Sequence, residues 1–319
     1  ELRIHPTLTQ HVTVTGRLSS VDPNLQNIPR PGSDKFGIRS AFMPKEGHIL
    51  IVVDYEQLEM RLLAHYAQDA NMIDVIRKGW DIHTGTASLM FGYAYEEIKA
   101  ALKKNKLATK DADIILTALE TAMCFARQAS KSVGFGLNYG EGPKKLAKTL
   151  GVSVDRAKEL MAQYFEPYPD VQDFIRSVHA FILDHAKVET ILGRPRRFHE
   201  MHEIGKMLDT RNRWHLPGTA KKNLARTERQ SLNSIIQGSA ADVAKMAMIK
   251  CEFDPRLQRL GAEMLLQVHD ELIFEVPEEN ADEAMTVICA IMEHPFSEDL
   301  LVPLNVDGGK GYAWSEAKA

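Results

Sequence analysis

Cysteine is scarce in this chain of 319 residues: only Cys124, Cys251 and Cys289, odd in number and far apart. A disulfide framework and a closely spaced zinc motif are thereby excluded, and buried reduced thiols are the plain reading. Long apolar runs are missing as well. No stretch approaches the roughly eighteen residues a membrane helix needs, and Glu1-Leu2-Arg3-Ile4-His5 lacks the basic and apolar regions of a secretory signal. An intracellular protein with no membrane partner is expected. There is no internal repeat and no low-complexity tract. A global excess of positive charge is absent too, since the net charge is -4. With Glu rather than Met at residue 1, the chain reads as a piece of a longer polypeptide or a processed product.

What is present is the balance of a globular protein, 44% hydrophobic and 26% charged, long enough for two subdomains. Residues 48–53 form a short apolar, β-branched run that reads as a buried strand, and 57–66 show helical spacing. Asp54 therefore stands where a strand ends. Residues 71–223 are mostly helical in pattern, broken at Gly92, Gly140, the 167–169 turn and the 193–195 turn. A long helix is expected over 227–250, then two strands, 263–268 and 272–276, joined at His269-Asp270-Glu271. Asp270 would lie in the hairpin turn. A sheet made from both ends of the chain, with a helical insertion between, is the implied α+β arrangement. If that fold brings Asp54 and Asp270 together, the pair suits hard divalent cations, which prefer oxygen ligands. Two such ions roughly 4 Å apart can activate an attacking hydroxyl and stabilise a leaving phosphate oxygen.

Two helix faces carry further candidates. Arg127, Lys131, Phe135 and Tyr139 recur every four residues, so two cations and two aromatics share one side. Cations hold phosphates and a ring packs on a base or sugar. A partly buried amphipathic helix with solvated cations explains the same spacing when it is taken alone. Arg229, Asn233 and Gln237 repeat the device ahead of Gly238-Ser239-Ala240-Ala241-Asp242. Such groups suit phosphates and minor-groove acceptors, whose pattern varies little with base sequence, and a plain polar stripe is again the alternative. Local positive charge lies at Lys144, Lys145 and Lys148, at Arg194, Arg196 and Arg197, and from 221 to 229; taken alone, solvated surface charge is the plainer reading of it.

Five motifs occur in order: Thr15-Gly16-Arg17-Leu18-Ser19-Ser20, Asp22-Pro23-Asn24-Leu25-Gln26-Asn27-Ile28-Pro29, Asp54-Tyr55-Glu56-Gln57-Leu58-Glu59-Met60-Arg61, Arg127-x3-Lys131-x3-Phe135-Gly136-x2-Tyr139-Gly140, and Gln267-Val268-His269-Asp270-Glu271. As an ordered set, covering about residues 8 to 314, they resemble the palm and fingers of family A DNA polymerases, the bacterial DNA polymerase I group. The resemblance implies a right-hand architecture lacking the thumb: an antiparallel-sheet palm at 1–70 and 224–319, and largely helical fingers at 71–223. It implies DNA-templated DNA synthesis with two magnesium ions, for which manganese can substitute, on primer-template DNA with deoxynucleoside triphosphates. Asp54, Asp270 and the Tyr55 carbonyl would bind the metal, with Glu271 a supporting carboxylate. Arg127 and Lys131 would grip the triphosphate, Lys131 also serving the leaving pyrophosphate. Phe135, Tyr139, Glu59 and Gln57 would line the nucleotide pocket. Arg17, Gln26, Asn27, Arg229, Asn233, Gln237 and His269 would contact DNA. Glu59 would exclude a ribose 2′-hydroxyl, and Phe135 would disfavour dideoxynucleotides.

The same resemblance places thumb and exonuclease domains ahead of these motifs in a longer chain, and a cytoplasmic or nucleoid location, with viral or organellar origin open. Three departures stand out. Glu56 replaces the usual Ser and either changes metal preference or turns outward. Gly134 and Asn138 replace an Asn and an apolar residue, which is expected to loosen the middle of the fingers helix. The segments 96–120 and 200–223 are longer than usual. A single-subunit RNA polymerase relative is opposed by Glu59, and a catalytically dead binding fragment by Asp54, Asp270, Arg127 and Lys131.

Overall fold

The computed structural model describes residues 3–29, 31–138, 141–210 and 212–317. The chain divides into two compact units, one of residues 1–58, 190–192 and 237–319, the other of 59–189 and 193–236.

The first unit is built on a four-stranded antiparallel sheet ordered Glu263–Val268, Glu271–Pro277, His48–Tyr55, Val306–Gly311. Ile49, Leu50, Ile51, Val52 and Val53 are all buried, because this strand is central and covered on both faces. A continuous apolar run, rather than alternation, is the mark of such a strand. On one face Leu50 and Val52 pack with Val268, Ile273, Trp314 and Ala317. On the strands also lies the helix Ala281–Glu293, burying Ala281, Ala284, Val287, Ile288, Ile291 and Met292 at helical spacing. The C-terminal helix Trp314–Ala317 lies close against the edge strand Val306–Gly311. Glycine makes that approach possible: a Cβ at Gly309 would collide with the Ala317 carbonyl, and one at Gly311 would come within 2.6 Å of the Glu316 Cβ.

The hairpin differs from the expected one by a residue. Glu271 belongs to the strand, paired with Val268, so the loop is His269-Asp270 alone. His269 takes the left-handed conformation, φ +57, that a two-residue hairpin loop requires.

The second unit is helical. Its longest complete helix, Ala118–Asn138, packs with Ile82–Phe91 and Tyr95–Ala108 around Ala87, Ile98, Ala101, Met123 and Ala126. Gly134 does not interrupt it. A Cβ there would lie 3.3 Å from the Tyr164 hydroxyl and 3.4 Å from the Met60 methyl, so the glycine admits two buried side chains to the helix surface. The expected loosening is thus replaced by close packing. The helix Gly218–Phe253, 36 residues long, starts well before residue 227. Its early turns bury little beyond Ala220 and Leu224, so apolar periodicity marks its start poorly. The division between the units falls within it, after Ile236.

Candidate active site

In the first unit the sheet register assembles the acidic residues. Asp54, next to last in the central strand, sits directly opposite Glu271 on one side and Asp307 on the other. Opposed residues in antiparallel strands share a face, with Cβ atoms about 5 Å apart. One step further, the Tyr55 N–H donates to the Asp270 carbonyl at 3.2 Å, which holds the hairpin loop against the end of the central strand. The Tyr55 hydroxyl donates to the Met292 carbonyl at 2.8 Å, and burial pushes its ionisation far up. That anchor pins the strand end to the helix behind it. Asp54 and Asp270 are half-buried.

Glu271 is turned to a different task. Its carboxylate is 3% exposed, accepts the Trp314 indole N–H at 2.9 Å and lies 3.8 Å from Arg39. Arg39 in turn stacks 4.0 Å over the Trp314 ring and donates to the Pro29 carbonyl. The carboxylate expected to play a supporting part is thus held inside the core. Glu56 is exposed, and its N–H donates to the Asn305 carbonyl at 2.9 Å. Glu56 lines an open cavity together with Asp54, Tyr55 and Asp307.

Asp54, Asp270 and the Tyr55 carbonyl are hard oxygen donors on adjoining backbone. Among the described residues no three or more His, Cys, Asp or Glu side chains gather into a metal-binding group. That donor set fits magnesium, which takes one or two protein carboxylates and completes its shell from water and phosphates, and does not fit a closed zinc cage.

Around the Asp270 loop the structure gathers three of the DNA-contact candidates. Arg17 Nη2 reaches Asp270 Oδ1 at 3.3 Å. Gln26 Nε2 donates to the side chain of Gln267 at 3.0 Å and to its carbonyl at 3.2 Å, and Gln267 donates to the His269 carbonyl. Arg17, Gln267, His269 and Asp270 line one small cavity with Ala240, Ala241 and Ala244 of the long helix. Gln237, on the same part of that helix, is buried, and Asn27 is exposed at the end of the short helix Leu25–Asn27.

The second unit holds the cationic candidates. Arg127, Lys131 and Phe135 lie at successive four-residue steps of Ala118–Asn138, each half-buried, and the Lys131 ammonium is 5.8 Å from the Phe135 ring centroid. Tyr139 lies outside the described residues. Arg127 Nε donates to Asp81 Oδ1 and to the Thr84 hydroxyl, both at 3.1 Å. Burial opposes ionisation of Asp81, but the Thr84 hydroxyl and Arg127 outweigh it and bring its pKa to about 2. Asp81 also caps the helix Ile82–Phe91 through the Thr84 N–H. His83, 4% exposed, packs its ring 5.2 Å from that of Phe135. Burial lowers its pKa to about 4; Asp81 opposes the shift, and Arg127 and Lys131 add to it. The imidazole is neutral at pH 7. Glu59 is buried in the first turn of Leu58–Ala67, and Gln57 precedes it with φ +52. Arg229 is exposed and Asn233 half-buried on the long helix.

Sequence reading missed Asp307, Gln267, Asp81 and His83. Asp307 sits in a glycine-rich strand with no apolar pattern, and only its register opposite Asp54 singles it out. Asp81 resembles any helix cap until Arg127 is seen on it.

The sequence profile of DNA polymerase family A matches residues 1–111 and 109–316. The chain is 38% identical to the thermostable DNA polymerase I of Thermus filiformis over 99% of its own length and 33% of that protein's. It is 37% identical to DNA polymerase I of Lactococcus lactis subsp. lactis (strain IL1403), covering 99% of itself and 32% of the relative. The chain thus spans about a third of the curated relatives it matches. Among solved structures it resembles the POL domain of Pol1 from M. smegmatis, in complex with DNA primer-template and dNTP, with TM-score 0.80 and 35% identity over 99% of this chain and 49% of that one. By sequence and by fold, the chain belongs to DNA polymerase family A.

Proposed function

We propose that this chain is the palm and fingers of a DNA-directed DNA polymerase, adding deoxynucleotides to a primer 3′-hydroxyl on a DNA template and releasing pyrophosphate. One observation carries the reading: Asp54 and Asp270, far apart in sequence, are brought onto adjoining backbone, where the Tyr55 N–H donates to the Asp270 carbonyl. The M. smegmatis relative, bound to primer-template and dNTP, supports the choice of substrates. The sheet unit serves as palm and the helical unit as fingers.

Asp54, Asp270 and the Tyr55 carbonyl would hold two magnesium ions, for which manganese could substitute. Bound there, magnesium would supply a lowered pKa for the attacking hydroxyl and charge stabilisation for the leaving phosphate oxygen. Arg127 and Lys131 bind the triphosphate, for which Arg127 exchanges Asp81 for phosphate oxygens. Lys131 donates a proton or positive charge to pyrophosphate as it departs. Phe135 and Tyr139, with Glu59 and Gln57, shape the pocket of the nascent pair. Neutral His83 backs the Phe135 ring without adding charge. Arg17, Gln26, Asn27, Arg229, Asn233, Gln237 and His269 hold primer and template through groups common to every base pair. Arg17, already on Asp270, is placed to bring the primer end to that carboxylate. A buried carboxylate at Glu59 selects deoxyribose and separates this reading from RNA synthesis.

Primer extension tests the proposal. Asp54→Asn and Asp270→Asn each reduce extension about a thousandfold or more, several kcal/mol of barrier, while the melting temperature holds. Undiminished extension by either variant refutes the metal assignment.

A further inference from the structure

Between residues 98 and 110 the chain carries five lysines and no acidic residue, in a protein whose net charge is -4. Lys104 turns to Glu120, at 2.7 Å. The other four, Lys99, Lys103, Lys106 and Lys110, follow one another at i, i+4, i+7 and i+11. That spacing sets them in a single line about 16 Å long on one flank of a helix. The helix Tyr95–Ala108 supplies the first three, and Thr109, still helical in backbone, leads to the fourth. All four are exposed. Lys99 has a long contact, 3.8 Å, with Glu96 and lies 5.8 Å from the Tyr95 ring centroid, and Lys103, Lys106 and Lys110 make no ion pair with another described residue.

The rest of the helix is committed. Ile98 and Ala101 are buried with Ala87, Met123 and Ala126, and Lys104 is tied to Glu120, so the lysine line is braced on the helix that carries Arg127 and Lys131. With its apolar side spent in that core, the helix has no face to insert into a lipid surface. The two matches to the family profile, 1–111 and 109–316, also meet at the end of this segment.

We propose that Lys99, Lys103, Lys106 and Lys110 dock the phosphate backbone of a single nucleic-acid strand, the unpaired stretch of a template. The choice of template strand rests on the polymerase reading; the polyanion chemistry rests on the lysines. Single file favours one strand: successive lysines are about 5 to 6 Å apart along the axis, and no second row is offered to the other strand of a duplex. Neutralising phosphates releases counterions, so affinity through this line falls steeply with salt.

The test compares the full chain with a variant carrying Lys99→Gln, Lys103→Gln, Lys106→Gln and Lys110→Gln. Fluorescence anisotropy measures Kd from 50 to 200 mM NaCl for a duplex with a twelve-nucleotide 5′ template overhang and for the same duplex blunt-ended. Four contacts at about 0.7 each predict that the variant's slope of log Kd against log salt is shallower by about 3 on the overhang. The wild type then loses roughly 50-fold more affinity than the variant across that range. The blunt duplex shows no such difference, and the matching Lys→Arg variant keeps the wild-type slope. Equal slopes on the overhang overturn the proposal, as does an equal change on both DNAs, which assigns the line to duplex. Lys103→Gln with Lys106→Gln alone, expected to give half the slope change, serves should the fourfold variant melt early. The Gln variants retain extension at low salt and saturating DNA, whereas failure of the polymerase reading appears in the Asp54 and Asp270 variants and leaves the salt slopes unchanged.

Discussion

The acidic residues of the sheet unit and the cationic face of the helical unit are built by opposite means. In the sheet unit, Asp54, Glu271 and Asp307 stand opposite one another on three strands through backbone register, and a single N–H from Tyr55 secures Asp270. In the helical unit, Arg127, Lys131 and Phe135 come from one helix and meet through its pitch. A register depends on everything that holds the strands, so damage far from the carboxylates reaches them. A helix face depends on the next turn, so damage stays local unless it touches the buried floor beneath, where His83, Asp81 and Thr84 lie.

That contrast can be broken most forcefully at His83. Its folded-state pKa of about 4 lies below the ordinary 6.5, so the unfolded chain takes up a proton that the folded chain refuses. The associated stability is complete above pH 6.5 and is lost as pH falls towards 4, amounting to about 3 kcal/mol. Urea midpoints measured across that window should fall for the wild type and fall less for His83→Gln. Parallel curves would relieve His83 of the effect and leave the helical unit without a special acid weakness.

A local loss is expected next. Lys131→Ala should slow nucleotide addition about a hundredfold without moving the melting temperature. A fall in stability comparable to the loss of rate would mean that the lysine braces Phe135 rather than serving phosphate.

The sheet unit should answer differently to a distant change. Gly309→Ala sets a methyl group against the Ala317 carbonyl, forcing the C-terminal helix from the strand that carries Asp307, at a cost of about 2 kcal/mol. Thermal unfolding and extension should decline together. Lowered stability with full activity would show that the register near Asp54 survives loss of that helix, and would weaken the comparison.

The smallest effect is expected at Glu59. Glu59→Ala should raise ribonucleotide insertion relative to deoxynucleotide about tenfold in a single-nucleotide assay, a matter of space in one pocket. Unchanged discrimination would remove the steric role.

From its order of residues alone, this protein shows two carboxylate motifs, a helix with cations and aromatics every four residues, and a helical stretch between two strand-bearing ends. These features are local, and a helix or a buried strand writes its period into the chain. The ordered motifs pointed to the family, and they did so without any knowledge of contacts. Tertiary structure decided the rest. Asp307 opposite Asp54, Glu271 held inward by Trp314, Arg127 seated on Asp81, and Gly134 yielding space to Tyr164 all join residues whose spacing along the chain carries no signal. Register and close packing arise between segments brought together only by folding, and no window of neighbouring residues contains them.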